Sequence, residues 1–308
     1  MKLYHNIASR IHFYILTQFK KITIKGMMRH LENNNSLFSA IEIETINRCN
    51  GTCTFCPVNS TIDKRPFASM NESLFRKIID ELARLNYFGF LGLQSNNEPY
   101  MDKHIIPRIA YTRQMCPNAF IYMYTNGTFL NTEKTIAAID AGLSIMTIDN
   151  YNDELVQNDN IKKIVKDLES PKLEFYRNKI QIALRKKTEV LTNRGGTAPN
   201  KNPVDYKYYR YFRNAGCLLP FRQMVVRPTG EISLCCQDAL GQVTLGDAKS
   251  QELKEIWNGP SYKKLREQLL KSGRKNLKVC KVCDVAAVYR NDFITLLQLQ
   301  LKKLVPFI

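Results

Sequence analysis

The sequence predicts an α/β protein, a partial or complete (β/α) barrel followed by a smaller region built on a β-hairpin and a helix. Three observations carry this. Short apolar runs alternate with amphipathic stretches from residue 40 to residue 185, three cysteines follow the first run, and four more frame a hairpin near the carboxyl end.

The first strand is expected in Ala40-Ile41-Glu42-Ile43-Glu44-Thr45-Ile46, which alternates with the period of two of a strand. Met70 to Asn86 then places Leu74, Ile78, Leu82 and Leu85 at helical spacing, and Phe88 to Gln94 reads as a short strand. The pattern continues with a strand over Ala119 to Thr125, a helix over Thr132 to Ala141 and a strand over Ser144 to Asp149. A helix over Asp153 to Leu168 and a strand over Lys179 to Arg185 complete it. Such alternation predicts parallel βα units, with the chemistry at the carboxyl ends of the strands. Farther on, Met224 to Arg227 and Glu231 to Leu234 are arms of a hairpin turning at Pro228-Thr229-Gly230, and a helix runs through Leu253, Ile256, Trp257 and Leu265.

Across 308 residues the composition is that of a globular protein, 44% hydrophobic and 24% charged, which excludes a disordered chain. Nine cysteines without a cleavable signal argue against a disulfide framework and for a reducing, cytoplasmic setting. Lys and Arg outnumber Asp and Glu by 45 to 28, a balance of +17 that suits an acidic substrate, an anionic membrane surface or nucleic acid, or simply a lysine-rich solvated surface.

Cys49, Cys53 and Cys56 stand at CxxxCxxC spacing just after the first strand. Three thiolates so close can hold three corners of a cubane cluster, and no fourth cysteine is near, so one iron is left open to a small chelating cofactor. Gly51 allows the tight turn this needs. Zinc is the alternative, but it takes four ligands and favours paired CxxC knuckles.

This loop, with Phe55 before the third cysteine, resembles that of the radical S-adenosylmethionine superfamily. The resemblance implies a partial (β/α)6 barrel of TIM type, and S-adenosyl-L-methionine chelating the open iron of a 4Fe-4S cluster through its amino and carboxylate groups. Gln94-Ser95-Asn96-Asn97-Glu98-Pro99 follows the second strand, where that family has a Gly-Gly-Glu motif meeting the cofactor amino group. Asn96 and Asn97 replace the glycines, and Glu98 carries over. Tyr124-Thr125-Asn126-Gly127 ends the third strand, and Asn126 matches an asparagine that faces the cofactor ribose or carboxylate. Phe55, Asn96, Asn97, Glu98 and Asn126 are therefore the expected cofactor-binding residues.

Cys217, Cys235, Cys280 and Cys283 form a closed set of four thiolates. With the hairpin and helix between them they resemble the SPASM and twitch extensions of the same superfamily, and the lack of cysteines after Cys283 matches the twitch form with one auxiliary 4Fe-4S cluster. A four-cysteine zinc ribbon is the alternative.

Leu191-Thr192-Asn193-Arg194-Gly195-Gly196 is similar to a segment of the two-cluster dehydrogenases that oxidise 2-deoxy-scyllo-inosamine, a resemblance covering residues 40 to 285. It implies oxidation of a secondary alcohol of a sugar, cyclitol or related small polar molecule to a ketone, with the auxiliary cluster as electron acceptor and a flavodoxin or ferredoxin as electron donor. Arg194 would reach the substrate alcohol and assist its deprotonation; alternatively it holds a loop carbonyl or a carboxylate. Cys236-Gln237-Asp238 departs from that pattern. Cys236 is either a small buried hydrophobe or, in a redox-neutral epimerase, the hydrogen-atom donor.

Two further alternatives are a peptide-modifying SPASM maturase, for which 39 preceding residues are too few to form a recognition domain, and a zinc-stabilised nucleic-acid-binding protein using the aromatic and basic run at Tyr206 to Arg213. No nucleic-acid partner is expected. The division is a basic amphipathic extension over 1–39, the core over 40–213, the auxiliary region over 214–290 and an apolar tail over 291–308. Ile7, Ile11, Tyr14, Ile15 and Phe19 recur at helical spacing, and the two ends either cover the barrel or lie on the inner face of a membrane, where a lipid-linked sugar would be the substrate.

Overall fold

The structure, a computed structural model, describes residues 21–32, 36–201 and 216–285. The segments 7–19, 206–213 and 293–308, on which the terminal and linker expectations rest, lie outside the described residues.

One eight-stranded sheet organises the fold, in the order β5-β4-β3-β2-β1-β6-β7-β8. Its strands are β1 (Ala40–Ile43), β2 (Phe90–Gly92), β3 (Phe120–Thr125), β4 (Ile145–Tyr151), β5 (Ile180–Arg185), β6 (Gln223–Val226), β7 (Glu231–Ser233) and β8 (Thr244–Asp247). The first six pair in parallel, and β6–β7 and β7–β8 are antiparallel. Between the parallel strands run α1 (Glu72–Arg84), α2 (Ile105–Met115), α3 (Thr132–Asp140), α4 (Asp159–Asp167) and the short α5 (Glu174–Arg177). The parallel α/β alternation predicted from the sequence is thus present, in one sheet whose order runs from β5 to β8.

Local chemistry sets the helix starts. Asn71 Oδ1 accepts from Leu74 N at 2.8 Å and Asn131 Oδ1 from Lys134 N at 2.8 Å, N-caps that satisfy orphan amides of α1 and α3. The helix expected from Asp153 starts only at Asp159. Asparagine side chains take the preceding backbone instead, Asn150 Nδ2 donating to Val156 O at 2.9 Å and Asn158 N to Asn150 Oδ1 at 2.8 Å. The sequence pattern did not single out α2, whose Pro107 is tolerated because it lies in the first turn.

The hairpin sits elsewhere than a separate small domain would place it. Its first arm, β6, lies parallel to β1 with Glu42 opposite Val225, and so supplies a sixth parallel strand from the auxiliary region rather than from a sixth βα unit. This covers the β1 edge, whose Ile41 and Ile43 are fully buried. The helix expected through Trp257 and Leu265 is two, α6 (Leu253–Asn258) and α7 (Pro260–Ser272), divided where Pro260 cannot continue the first.

The core runs continuously from the parallel strands to the segment 217–280. Trp257 is fully buried, meets Phe38 edge-on at 5.5 Å and donates from Nε1 to Ser36 O at 3.1 Å, with the Arg266 guanidinium 4.1 Å over its ring. Residues 21–32 are helical and bury Ile24 and Leu31 in the same core, while Ile22 is exposed. Among the described residues no helix is long and apolar enough to cross a membrane.

Candidate active site

A cleft opens at the carboxyl ends of β2, β3 and β4, lined by Cys49, Cys53 and Cys56 with Gln94–Glu98, Asn126, Tyr151 and Arg194. The sequence-predicted cofactor residues meet here.

The cysteine loop is a compact turn. Gly51 N donates to Cys49 Sγ at 3.2 Å, Cys56 N to Cys53 O at 3.1 Å, and Thr54 N to Lys187 O at 3.0 Å, which ties the loop to the chain after β5. A Cβ on Gly51 would stand 3.3 Å from Cys49 Sγ, so only glycine leaves the sulfurs unobstructed. Burial pushes the Cys49 thiol up to about 11 and the Cys53 thiol up to about 12, and each is raised further by its neighbouring thiols. Thiols in this setting need bound metal to become thiolates.

Phe55 is buried against Tyr151, ring centroids 5.8 Å apart, and closes one side of the cleft. Glu98 is also buried. Its Oε1 accepts from Thr125 Oγ1 at 2.7 Å and Tyr100 N at 3.1 Å, and its Oε2 accepts from Asn126 N at 2.7 Å. Burial raises its pKa, partly offset by these donors. Its carboxylate therefore clamps the end of β3 and sets Asn126, whose Nδ2 reaches Asn50 Oδ1 at 2.7 Å and Cys49 Sγ at 3.6 Å. Gly127, at φ +75°, lets the chain turn away beneath Ile148 and Ile161.

The two asparagines in place of glycines behave differently. Asn96 donates from Nδ2 to Cys236 O at 3.0 Å, and its Oδ1 accepts from Arg194 Nη1 at 3.5 Å. Asn97 Oδ1 accepts from Ser95 N at 2.9 Å, leaving Asn97 Nδ2 buried without a protein partner. Gln94 Oε1 and Arg194 Nε in the same cleft are likewise buried and unpartnered. A polar ligand between them would satisfy all three, so the cleft suits S-adenosylmethionine beside a substrate.

Cys217, Cys235, Cys280 and Cys283 are buried together, and each of the last three is raised first by burial and then by the other thiols. Among the described residues no three of His, Cys, Asp and Glu converge as ligands of a single ion.

The segment Asn193 to Gly196 joins the two cysteine sets. Asn193 N donates to Asp284 Oδ1 at 2.8 Å, Asp284 N to Asn193 Oδ1 at 3.2 Å, and Asn193 Nδ2 to Val282 O at 2.5 Å, which moors the turn on the Cys280–Cys283 loop. Arg194 takes φ +48°, an uncommon conformation for a non-glycine residue that this mooring holds in place. Its side chain thereby lines the cleft. Cys236 lies just below, its thiol pushed up to about 12 by burial and by Glu42, and its Sγ accepts from Gln237 Nε2 at 3.9 Å.

The sequence reading quoted Tyr124 only within the motif of Asn126, and missed Asp149 and Tyr151 in the cleft lining and Glu42 beside it. Asp149, raised by burial, accepts from Arg185 Nε at 2.9 Å. Their strand alternation marks a face, and nothing local marks it as the cleft.

The chain matches the radical SAM superfamily over residues 43–195 and the SPASM iron-sulfur cluster-binding domain over residues 217–284. It is 24% identical over 258 residues to the S-adenosyl-L-methionine-dependent 2-deoxy-scyllo-inosamine dehydrogenase of Niallia circulans, covering 84% of this chain and 97% of that enzyme. The crystal structure of BtrN with AdoMet and 2-DOIA superposes with a TM-score of 0.69 at 24% identity, over 82% of this chain and 95% of that one. That of anSMEcpe with bound AdoMet gives 0.54 at 13% identity, over 87% and 94%. S-adenosylmethionine and two iron-sulfur clusters are the cofactors of such a pair of domains, and both cysteine sets have the donors to hold them. Matched in both halves, the chain belongs to the radical S-adenosylmethionine superfamily and carries a SPASM iron-sulfur domain.

Proposed function

We propose that this enzyme oxidises a secondary alcohol of a sugar, cyclitol or related small polar molecule to a ketone. The observation that carries the reading is the placement of Arg194, moored through Asn193 on the Cys280–Cys283 loop and lining the S-adenosylmethionine cleft. One side chain spans the space between the two cysteine sets, where a molecule must sit to react at one and lose an electron to the other. The dehydrogenase of Niallia circulans, whose length this chain matches almost throughout, supports the reaction class.

Cys49, Cys53 and Cys56 would hold the first 4Fe-4S cluster, and Cys217, Cys235, Cys280 and Cys283 the second, in a twitch-type region. When bound, S-adenosylmethionine and the first cluster supply a 5′-deoxyadenosyl radical that takes a hydrogen atom from carbon, and the second cluster supplies an electron acceptor. The chain's own residues do the rest. Asn97 Nδ2 and Gln94 Oε1 offer one donor and one acceptor to the cofactor, Glu98 keeps Asn126 in place, and Phe55 with Tyr151 excludes water. Arg194 offers N–H donors to the substrate oxygen.

The division at 40–213 and 214–290, a cytoplasmic location and a flavodoxin or ferredoxin donor belong to the same proposal. The excess of 45 basic over 28 acidic residues favours an acidic electron-transfer partner. An epimerase is the second reading, because Cys236 is the one thiol beside the cleft outside both ligand sets.

Iron and sulfide content after anaerobic purification, with EPR of the reduced protein, tests the cofactors. Two cubanes require about eight iron per chain, and zinc without sulfide would overturn the reading. Cys49→Ala, Cys53→Ala and Cys56→Ala should each abolish 5′-deoxyadenosine formation.

A further inference from the structure

Oxidising a carbinol to a ketone removes a hydrogen atom from carbon, a proton from oxygen and one electron. The cofactors accept the first and the last, which leaves the proton. Arg194 cannot take it, since a guanidinium has no accepting lone pair.

The carboxylates at the carboxyl ends of the strands are mostly engaged. Glu44 accepts from Arg227 Nη1 at 2.9 Å and from Asn96 N at 3.2 Å. Glu98 is held by Thr125, Asn126 and Tyr100, and Asp149 by Arg185. Glu42 on β1 differs. Its Oε1 accepts from Gln223 Nε2 of β6 at 2.7 Å and from the Tyr122 hydroxyl of β3 at 3.4 Å, which fixes the carboxylate plane, while Oε2 is buried with no hydrogen-bond partner. No cation forms an ion pair with it among the described residues.

Its surroundings connect it to the reaction space. The Ser95 and Tyr122 hydroxyls stand beside the Glu42 carboxylate as hydrogen-bond donors, Ser95 too far or too poorly aligned to complete a bond to Oε2. Arg194 and Arg227 act on it by charge, Tyr124 faces it from farther along β3, and Cys236 faces it from the auxiliary loop. Ser95, Tyr124 and Arg194 also line the cofactor cleft. Ser95, Tyr124 and Arg194 thus link the cleft to Glu42, which lies behind its lining residues.

We propose that Glu42 is the proton acceptor of the reaction: Arg194 holds the substrate oxygen, and the hydroxyl proton passes to Glu42 Oε2 as the C–O bond becomes C=O. The inference rests on the dehydrogenase reading above. Burial pushes the Glu42 carboxyl up to about 7, against the lowering effect of Ser95, Tyr122, Arg194 and Arg227. A base poised there is ionised in part at neutral pH and retains a proton once it arrives, the condition under which general-base catalysis is most effective.

Glu42→Gln keeps the shape and the acceptor that Gln223 and Tyr122 use, but takes no proton. With 2-deoxy-scyllo-inosamine deuterated at the carbinol carbon as probe, ketone formation should fall about 100-fold or more, while deuterium still enters 5′-deoxyadenosine. In the unaltered enzyme the ketone rate should rise with pH through about 7, where burial has placed the carboxyl. That rise should vanish in Glu42→Gln and return, at a displaced pH, in Glu42→Asp. Unchanged rate and pH profile in Glu42→Gln would overturn the role of Glu42 alone. Loss of iron-sulfur absorbance in both variants would mark a structural role and overturn it too. Failure of the unaltered enzyme to make ketone from the probe, with cofactor cleavage intact, would instead bring down the reading on which it rests.

Discussion

Asn96 donates to the Cys236 carbonyl at 3.0 Å and accepts from Arg194 Nη1 at 3.5 Å, so one side chain after β2 joins the loop after β7 and the turn after β5 at the cleft. A glycine there, as in the family motif, could make neither bond. Removing them in Asn96→Ala costs about 1–2 kcal/mol of stability and frees Arg194 from its side-chain partner. The expected outcome is a substrate KM raised about tenfold or more, which is the loss of roughly one charge-assisted hydrogen bond. S-adenosylmethionine cleavage without substrate should be little changed. Steady-state kinetics alongside 5′-deoxyadenosine measurement checks this, and an unaltered KM would show that Asn96 does not position Arg194.

The second cysteine set should matter to a different step from the first. In Cys280→Ala or Cys283→Ala the first set is intact, so 5′-deoxyadenosine should still form, while ketone yield per 5′-deoxyadenosine should fall at least about tenfold for want of an electron acceptor. The ratio of the two products decides it. Ketone formation at full yield after loss of that cluster's EPR signal would remove the acceptor role.

The CxxxCxxC loop stands out in the sequence because its spacing is local, whereas Cys217 and Cys235 lie far from Cys280 and Cys283 in sequence and their grouping rests on resemblance. The alternation of strands and helices was legible too, since each βα unit buries its own stripe. Other features depend on distant partners. That β6 would lie beside β1 follows from the exposed β1 edge, a matter of tertiary closure that no window of sequence contains. Glu42 and Asp149 alternate in strands like any half-buried polar residue, and only the neighbours Tyr122, Gln223 and Arg185 distinguish an open carboxylate from a paired one. Arg194 was readable through its glycine-flanked segment, but its mooring partner Asp284 lies 91 positions from Asn193.

Cys236 separates oxidation from epimerisation. Its main chain joins Asn96 and Gln223, so Cys236→Ala keeps the backbone bonds and removes only the thiol. A dehydrogenase should retain its ketone rate within about twofold, since a small buried thiol contributes chiefly packing. An epimerase should lose product and solvent deuterium incorporation together. Mass spectrometry of products formed in D2O reads both.

The turn that carries Arg194 is built for glycine, which makes it a sensitive point for the second cluster. Gly195 has φ +61°, and a Cβ there would stand 2.5 Å from Val279 Cγ1 and 3.1 Å from Gln237 O. An alanine would therefore pay about 1–2 kcal/mol for the left-handed conformation and about 1–3 kcal/mol for overpacking. Val279 precedes Cys280, and Gln237 follows Cys235 by two positions, so the strain falls on the segments that hold the auxiliary thiols. Gly195→Ala should lower iron content from about eight toward about four per chain while leaving the Cys49–Cys56 loop, against which the added methyl does not press, able to support 5′-deoxyadenosine formation. Iron analysis with EPR measures the outcome, and a variant with full iron and unaltered ketone yield would show that the turn yields without disturbing the loop beneath it.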